Sequence, residues 1–303
     1  IATYKRPGLL RMCLSAIANL ERPDNYCVEI VVVDNDKDES ARFLCNELKN
    51  KINFPLHYLV QRERGLSSVR NSLLEKSIEL EARLIAFIDD DEQPAAGWLL
   101  QIVHAMNKYD ADVCTGPVIE LGTEHLSAHK KALTTGSKSR HVSTNNVLFK
   151  TALVTTQGLR FDPFYNFIGG EDFDFFERSA KLGNKHIWVA EALIFEVIPE
   201  QRKKLSYLFY RHFTGGINSI LRYKRSNPTW QAWLRFSPKI VGKLIGAILS
   251  LLLGLVKLNK EYFYSSIKKL ASGIGYFAGL LNIVVERYRN IETEELDNPA
   301  KSG

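Results

Sequence analysis

Leu84-Ile85-Ala86-Phe87-Ile88-Asp89-Asp90-Asp91-Glu92 runs five apolar residues into four consecutive acids. Its apolar part reads as a buried strand, and Glu29-Ile30-Val31-Val32-Val33-Asp34 reads the same way and also ends on aspartate. Between the two, helix-like patterning covers residues 8–20, 40–50 and 66–80, with Ser67 and Ser68 as candidate caps of the last. Strands interleaved with helices predict an α/β fold whose mostly parallel sheet is covered on both faces. Ligands of such sheets sit beyond the carboxyl ends of the strands, where Asp34 and Asp89 both fall. One strand ending in aspartate is ordinary turn or cap chemistry; two, one of them followed by further acids, point to a site.

The composition of the whole 303-residue chain is that of a folded protein, 45% hydrophobic and 24% charged. Cys13, Cys27, Cys45 and Cys114 are dispersed with no CxxC pair, which excludes a zinc knuckle or a dense disulfide framework and predicts reduced thiols in a cytosolic setting. Ile1-Ala2-Thr3 reads as the end of a strand, so the chain is expected to start a few residues late. The formal charge of +6 is unevenly spread: residues 202–291 carry 16 Lys and Arg against 2 Asp and Glu, and the remainder carries 24 against 32. A polar stretch at 122–145 is expected to form a mobile loop, Asn146-Val147-Leu148-Phe149 a short strand, and a helix to start near Glu171. Composition places a boundary within 200–235.

Four adjacent acids repel one another, so the Asp89 to Glu92 segment calls for a compensating cation. A divalent metal such as Mg²⁺ or Mn²⁺ fits, since hard ions on open carboxylates keep waters and bridge to phosphate oxygens. The other reading is a solvated acidic loop. In Gly169-Gly170-Glu171-Asp172-Phe173-Asp174-Phe175-Phe176, two glycines precede acids at a helix start. Acids there are favoured by the helix dipole; the functional reading makes one of them a general base that takes a proton from an acceptor hydroxyl.

Thr3-Tyr4-Lys5-Arg6-Pro7, Val31-Val32-Val33-Asp34-Asn35, Arg64-Gly65-Leu66-Ser67 with Arg70-Asn71, Asp89 to Asp91, and Gly170-Glu171-Asp172 occur in the order found in family 2 glycosyltransferases. Over roughly residues 1–220 the chain resembles the bacterial exopolysaccharide glycosyltransferases of the succinoglycan type. The resemblance implies a GT-A fold, a Rossmann-like, mostly parallel sheet flanked by helices, and a nucleotide diphosphate-sugar donor, with a UDP-sugar the first choice. On that resemblance Asp34 hydrogen-bonds the base, Thr3, Tyr4 and Arg70 contact the nucleotide, and Arg6 and Asp90 join the donor-binding set. Asp89 lies near the ribose and beside the metal, Asp91 ligates the metal, and Asp172 is the base, with Glu171 as the near alternative. The chemistry implied is one in-line displacement with inversion at the anomeric carbon. Membrane-embedded members carry a Gln-x-x-Arg-Trp motif that this chain lacks. Arg202 and Arg211 are read either as diphosphate contacts or as basic surface, and His212 is left out of the metal site. Asn145 and Asn146 are either sugar contacts or turn residues, and Trp188 either lines the acceptor side or sits in the core.

These readings divide the chain into a catalytic domain, 1–220, and a basic, apolar helical region, 221–303. Leu244 to Val256 is a mainly apolar stretch of 13 residues between Lys243 and Lys257, and Leu270 to Val285 a second of 16 with three glycines, each shorter than the ~20 of a comfortable bilayer span. With Lys239, Lys243, Lys257, Lys260, Lys268 and Lys269 around them, they fit helices lying in or dipping into a membrane interface. A soluble bundle or a dimer interface is the competing reading. Nucleic acid would explain the charge but not the apolar runs, so no nucleic-acid partner is expected. The function expected is transfer of a sugar to a lipid-linked saccharide at the cytoplasmic face of a membrane, in exopolysaccharide or cell-surface glycan synthesis. The alternatives are a metal-dependent nucleotidyltransferase and a non-catalytic nucleotide-sugar-binding scaffold. Sugar, acceptor, linkage, metal and oligomeric state stay open.

Overall fold

A computed structural model describes residues 1–121, 133–198 and 200–289. Of the polar stretch expected as a loop, 122–132 lies outside the described residues, as does everything from 290 onward. The chain divides into two compact units, one of Ile1–Asn166 with Gly170–Val197, the other of Phe167–Gly169 with the described residues from 198 to 289.

The first unit is a mixed α/β body. Strands β1 (Ala2–Thr3), β2 (Ile30–Asp34) and β3 (Leu56–Val60) form an all-parallel sheet. A second sheet orders β4 (Leu84–Phe87), β8 (Val147–Lys150), β6 (Val113–Thr115) and β9 (His186–Trp188). In it β8 runs antiparallel to both β4 and β6, and β6 pairs parallel with β9. A third joins β5 (Glu92–Pro94), β10 (Ile194–Val197) and β7 (Val118–Leu121). The apolar runs become strands because their side chains find the core: adjacent Val32 and Val33 bury both faces of β2, while β4 buries one face through Ile85 and Phe87 and leaves Ala86 exposed on the other.

Helices Pro7–Ile17, Arg42–Leu48 and Leu66–Glu79 lie where the periodicity put them. The last is capped differently from expectation. Its N-cap is Gly65, and Ser67 and Ser68 sit inside the first turn, where the Ser67 hydroxyl donates to the Asp162 carbonyl. Asn166 does the capping: its side-chain oxygen accepts from the Ser68 amide at 3.0 Å and its carbonyl from the Leu66 amide at 3.0 Å. Gly65 holds φ +148°, and a Cβ there would lie 2.2 Å from the Asn166 side chain, so this entry is closed to any larger residue.

Helix Glu171–Lys181 is anchored by Phe175 and Phe176, which join Phe87, Phe149 and Phe161 in one aromatic core. Phe161 and Phe175 stack with ring centres 4.5 Å apart. His186 of β9 is enclosed nearby, its Nε2 3.0 Å from the Ser179 hydroxyl.

The second unit is helical: Glu200–Lys203, Leu205–Ser226, Thr229–Lys257 and Lys260–Leu280. The division at 220 drawn from composition falls inside the second of these. Leu205–Ser226 and Lys260–Leu280 meet almost backbone to backbone, since a Cβ on Gly275 would lie 2.1 Å from the Phe213 carbonyl. Thr229–Lys257 and Lys260–Leu280 form a hairpin in which the Ser266 hydroxyl donates to the Ala247 carbonyl at 2.8 Å and Lys269 to the Ser250 hydroxyl at 2.6 Å. The 13-residue apolar run is therefore part of a 29-residue helix, which is long and apolar enough to cross a membrane by length and composition. Only 17% of its most apolar window, of mean hydropathy 2.0, is buried. Buried core helices have the same length, but not that exposure.

Burial pushes the His186 pKa from 6.5 down to about 4. The unfolded chain therefore binds a proton that the folded one refuses, and the stability at stake, about 3 kcal/mol, is complete above pH 6.5 and lost as pH falls to 4. Equilibrium urea unfolding between pH 7 and 4 is expected to show this acid limb in the parent and a flatter one in His186→Gln; equal slopes would refute it.

Candidate active site

Burial alternates along the acidic segment, which turns from β4 into β5. The Asp89 and Asp91 side chains keep 40% and 11% of their surface accessible, while Asp90 and Glu92 are enclosed. The four acids thus divide into an outward pair and an inward pair. Asp90 Oδ2 accepts from the Thr3 hydroxyl at 2.7 Å, and its Oδ1 from the Arg6 guanidinium, which also donates to Asp91 Oδ2 at 3.2 Å. Glu92 turns back to accept from the Asp89 amide at 2.9 Å.

These contacts correct the argument that a metal is what makes the acid run tenable. Desolvation raises Asp90 to about 7 against the opposing pull of Arg6, and raises Glu92 well above the carboxylate range. Inward burial therefore favours the neutral forms, and Arg6 supplies countercharge for Asp90 and Asp91. Asp89 is raised first by the protein around it, with Asp91 and Asp172 adding to the effect and Arg70 and Arg6 opposing it. The 40% accessibility of its side chain means that solvent still screens this site.

Arg70 joins the acidic turn to the Gly170-Glu171-Asp172 segment. It lies on the buried stripe of its helix with Ser67, Val69, Leu73 and Leu74, so a cation is aimed into the protein and must find anions there. Glu171 forms an ion pair with one end of the guanidinium, and Asp89 stands 3.7 Å from the other. Phe161 lies under it, 5.9 Å from ring centre to guanidinium carbon. Glu171 is 3% exposed, and its Oε2 has no hydrogen-bond partner among the described residues. Asp172 is more accessible, and its Oδ1 accepts from the Phe173 amide at 2.7 Å. Gly170, at φ +94°, sets the sharp entry to this helix, whose first turn carries Glu171, Asp172 and Asp174.

The structure thus brings together Thr3, Arg6, Arg70, Asp89, Asp90, Asp91, Glu171 and Asp172. Asp34, at the end of β2, is fully enclosed. It accepts from the amides of Asp36 at 3.0 Å and Ala41 at 2.8 Å, and from the Tyr58 hydroxyl at 2.9 Å. Two of its roughly four lone-pair positions thus go to organising the chain from 35 to 41, and a third to Tyr58 of β3. Asn146 is occupied by structure, accepting from Trp98 and donating to the Pro117 and Ala192 carbonyls; Asn145 accepts from the Ser143 hydroxyl. Trp188 is buried. Arg202, Arg211 and His212 belong to the second unit.

Asn35 is the residue whose role sequence reasoning missed. Its Nδ2 donates at 2.8 Å to the carbonyls of both Gln61 and Glu63, and its Oδ1 accepts from the Gly65 amide at 2.9 Å. It fixes the segment carrying Arg64, whose guanidinium lies 4.4 Å over the Tyr4 ring. The available signal was its place directly after Asp34 at the strand end.

Among the described residues, no group of three or more His, Cys, Asp or Glu side chains assembles as a metal site. Asp89 and Asp91 still offer two hard oxygen donors on one side of the turn, which suits an ion that completes its shell with water and ligand phosphate. A cavity of about 380 Å³ lies elsewhere, between β2 and β4. Its lining is largely apolar, with Ile30, Ile85 and Leu148 among it, and includes none of the site's acids, so the polar chemistry favours the Arg70 region.

The profile of Glycosyl transferase family 2 matches residues 1–164. The succinoglycan biosynthesis protein ExoM of Rhizobium meliloti (strain 1021) is 28% identical over 245 residues, covering 77% of each chain. The crystal structure of S. aureus TarS is similar with a TM-score of 0.55 at 14% identity, over 91% of this chain; this chain covers 54% of TarS, about half its length. TarS 1–349 in complex with UDP gives a TM-score of 0.55 at 15% identity, over 93% of this chain and 90% of that one.

Removing Arg70 would leave Glu171 buried without its cation. Arg70→Met is expected to cost about 3–5 kcal/mol of stability, and adding Glu171→Gln to recover a large part of it. A double-mutant cycle read by urea denaturation checks this, and additive losses would refute the pairing.

Proposed function

Because this chain belongs to glycosyl transferase family 2, we propose that it moves one sugar from a nucleotide diphosphate-sugar to a hydroxyl of a lipid-linked saccharide, with inversion at the anomeric carbon. The observation that carries the reading is the cluster of Asp89, Asp91, Arg70 and Asp172, two carboxylates on an outward turn within electrostatic reach of a third at a helix start.

A UDP-sugar is the donor we assign. TarS 1–349 is known in complex with UDP-GlcNAc, and that protein's ligand motivates the choice of nucleotide without fixing the sugar. Thr3, Tyr4 and Arg6 are assigned to the nucleotide, with Asp34 acting at the base end through the segment it holds. Asp89 is assigned to the ribose side and Asp91 to a divalent ion, Mg²⁺ or Mn²⁺, with Asp89 next to it. Such an ion would offset charge on the departing diphosphate. The arginines already balance much of the acid cluster, so the demand for an ion comes from the leaving group. Asp90 supports the turn from within through Thr3 and Arg6.

Asp172 is assigned as the base. Glu171 is enclosed and bound to Arg70, which suits it to hold the guanidinium. Asp172 keeps contact with solvent and acts electrostatically on Asp89, as a group beside the reacting centre would. It would accept the proton of the acceptor hydroxyl as that oxygen attacks the anomeric carbon and the nucleoside diphosphate leaves. ExoM is a protein of succinoglycan biosynthesis, and this supports an exopolysaccharide or cell-surface glycan as the product. The exposed apolar helix Thr229–Lys257 supports work at a membrane surface, and use of a nucleotide-sugar supports its cytoplasmic face.

The test is turnover of a panel of labelled nucleotide-sugars with membrane lipid extracts, with release of nucleoside diphosphate measured. Asp91→Ala and Asp172→Asn, checked for folding, are each expected to lower kcat about 100-fold or more. Full activity in either would overturn its assignment, and release of pyrophosphate would point to nucleotidyl transfer.

A further inference from the structure

The second unit carries an apolar surface that its own helices do not cover. Along Thr229–Lys257, Leu234, Ile245, Ile248, Leu252, Leu255 and Val256 are between 52% and 81% exposed. Trp230, 61% exposed, stands at the start of the helix. A surface of this size on a helix of this length needs an occupant.

Length and composition alone would allow the helix to cross a bilayer, but the hairpin argues against it. The uninterrupted apolar run, Leu244 to Val256, rises about 20 Å, short of the ~30 Å of hydrocarbon in a bilayer. Extending the span toward the N-terminus brings in Lys243 and the exposed Lys239. The partner helix adds a second obstacle. Ser266 meets Ala247 and Lys269 meets Ser250, so Lys268, next in sequence and exposed, lies level with the middle of the apolar run. A crossing hairpin would carry that ammonium to the bilayer centre, where an exposed charge is costly. The hairpin turn is itself charged, with Lys257, Lys260 and Glu261.

Laid along the surface, the same hairpin satisfies every one of these groups. The apolar side of Thr229–Lys257 enters the acyl region, Trp230 sits at its boundary, and the lysine stems reach back to the headgroups. The excess of 16 Lys and Arg over 2 Asp and Glu in residues 202–291 selects an anionic surface.

We propose that the second unit is a monotopic anchor, a helical hairpin seated in a single leaflet of anionic phospholipid with no segment passing to the far side. This inference rests on the membrane location given above and is independent of the transfer chemistry, so loss of sugar transfer would leave it standing. The full chain is mixed with sealed phosphatidylcholine vesicles, with and without phosphatidylglycerol, and binding is followed by flotation. Binding is expected to be about tenfold or more tighter with the anionic lipid and to weaken with salt. Ile248→Lys with Leu252→Lys, on the exposed side, should lower it by a similar factor with the thermal transition unchanged. In a Cys27→Ser background, Lys260→Cys should react with an impermeant maleimide added outside the vesicles as fully as after lysis. No binding to either vesicle, binding indifferent to lipid charge, unaffected binding in the double variant, or labelling of Lys260→Cys only after lysis would each overturn the proposal.

Discussion

The guanidinium of Arg70 is the constraint on which the site depends. It projects from the core-facing stripe of helix Leu66–Glu79, and an inward cation is tolerable only where anions meet it. Glu171 and Asp89 do so from two chain segments far apart in sequence. One side chain thereby sets how the helix start at Glu171 stands against the turn after β4. The surrounding features keep Arg70 in place: Gly65 with its φ of +148°, Asn166 closing the first turn, Asn35 holding the segment before it, and Phe161 beneath the guanidinium.

The acidic turn follows a related logic. Four consecutive acids coexist because two face inward, where desolvation favours their neutral forms, and two face outward, where arginines and solvent moderate their charge. Thr3 and Arg6 tie the inward Asp90 to β1 and the start of the first helix. The outward pair is the one to which we assign the diphosphate's ion. An ion bound there would thus act on the leaving group more than on the protein's own stability.

Much of this was legible in the sequence. The runs ending at Asp34 and Asp89 became strands ending near those residues because continuous β-branched and apolar segments find the core, on both faces of β2 and on one face of β4, and the helix at Glu171 starts where two glycines precede acids. Less legible was everything decided by a distant partner. Ser67 and Ser68 look like caps, yet Asn166, about a hundred residues away, performs that task. Asp34 reads as a ligand contact, and nothing local shows that it also holds the amides of Asp36 and Ala41 in its own loop and the Tyr58 hydroxyl of β3. Arg6 carries no local signal of its pairing with Asp90 and Asp91. In the second unit, lysines break the apolar pattern into short runs without breaking the helix, so the 29-residue length of Thr229–Lys257 and the exposure of most of its apolar window emerged only from the packing.

The central claim is that this site performs a single displacement at an anomeric carbon, with Asp172 as base. The anomeric configuration of the newly formed linkage, read by proton NMR of the purified product against the configuration of the donor, tests it most directly. Inversion is the result predicted. Retention of configuration would contradict the account, since one in-line attack by an acceptor oxygen activated at Asp172 cannot produce it.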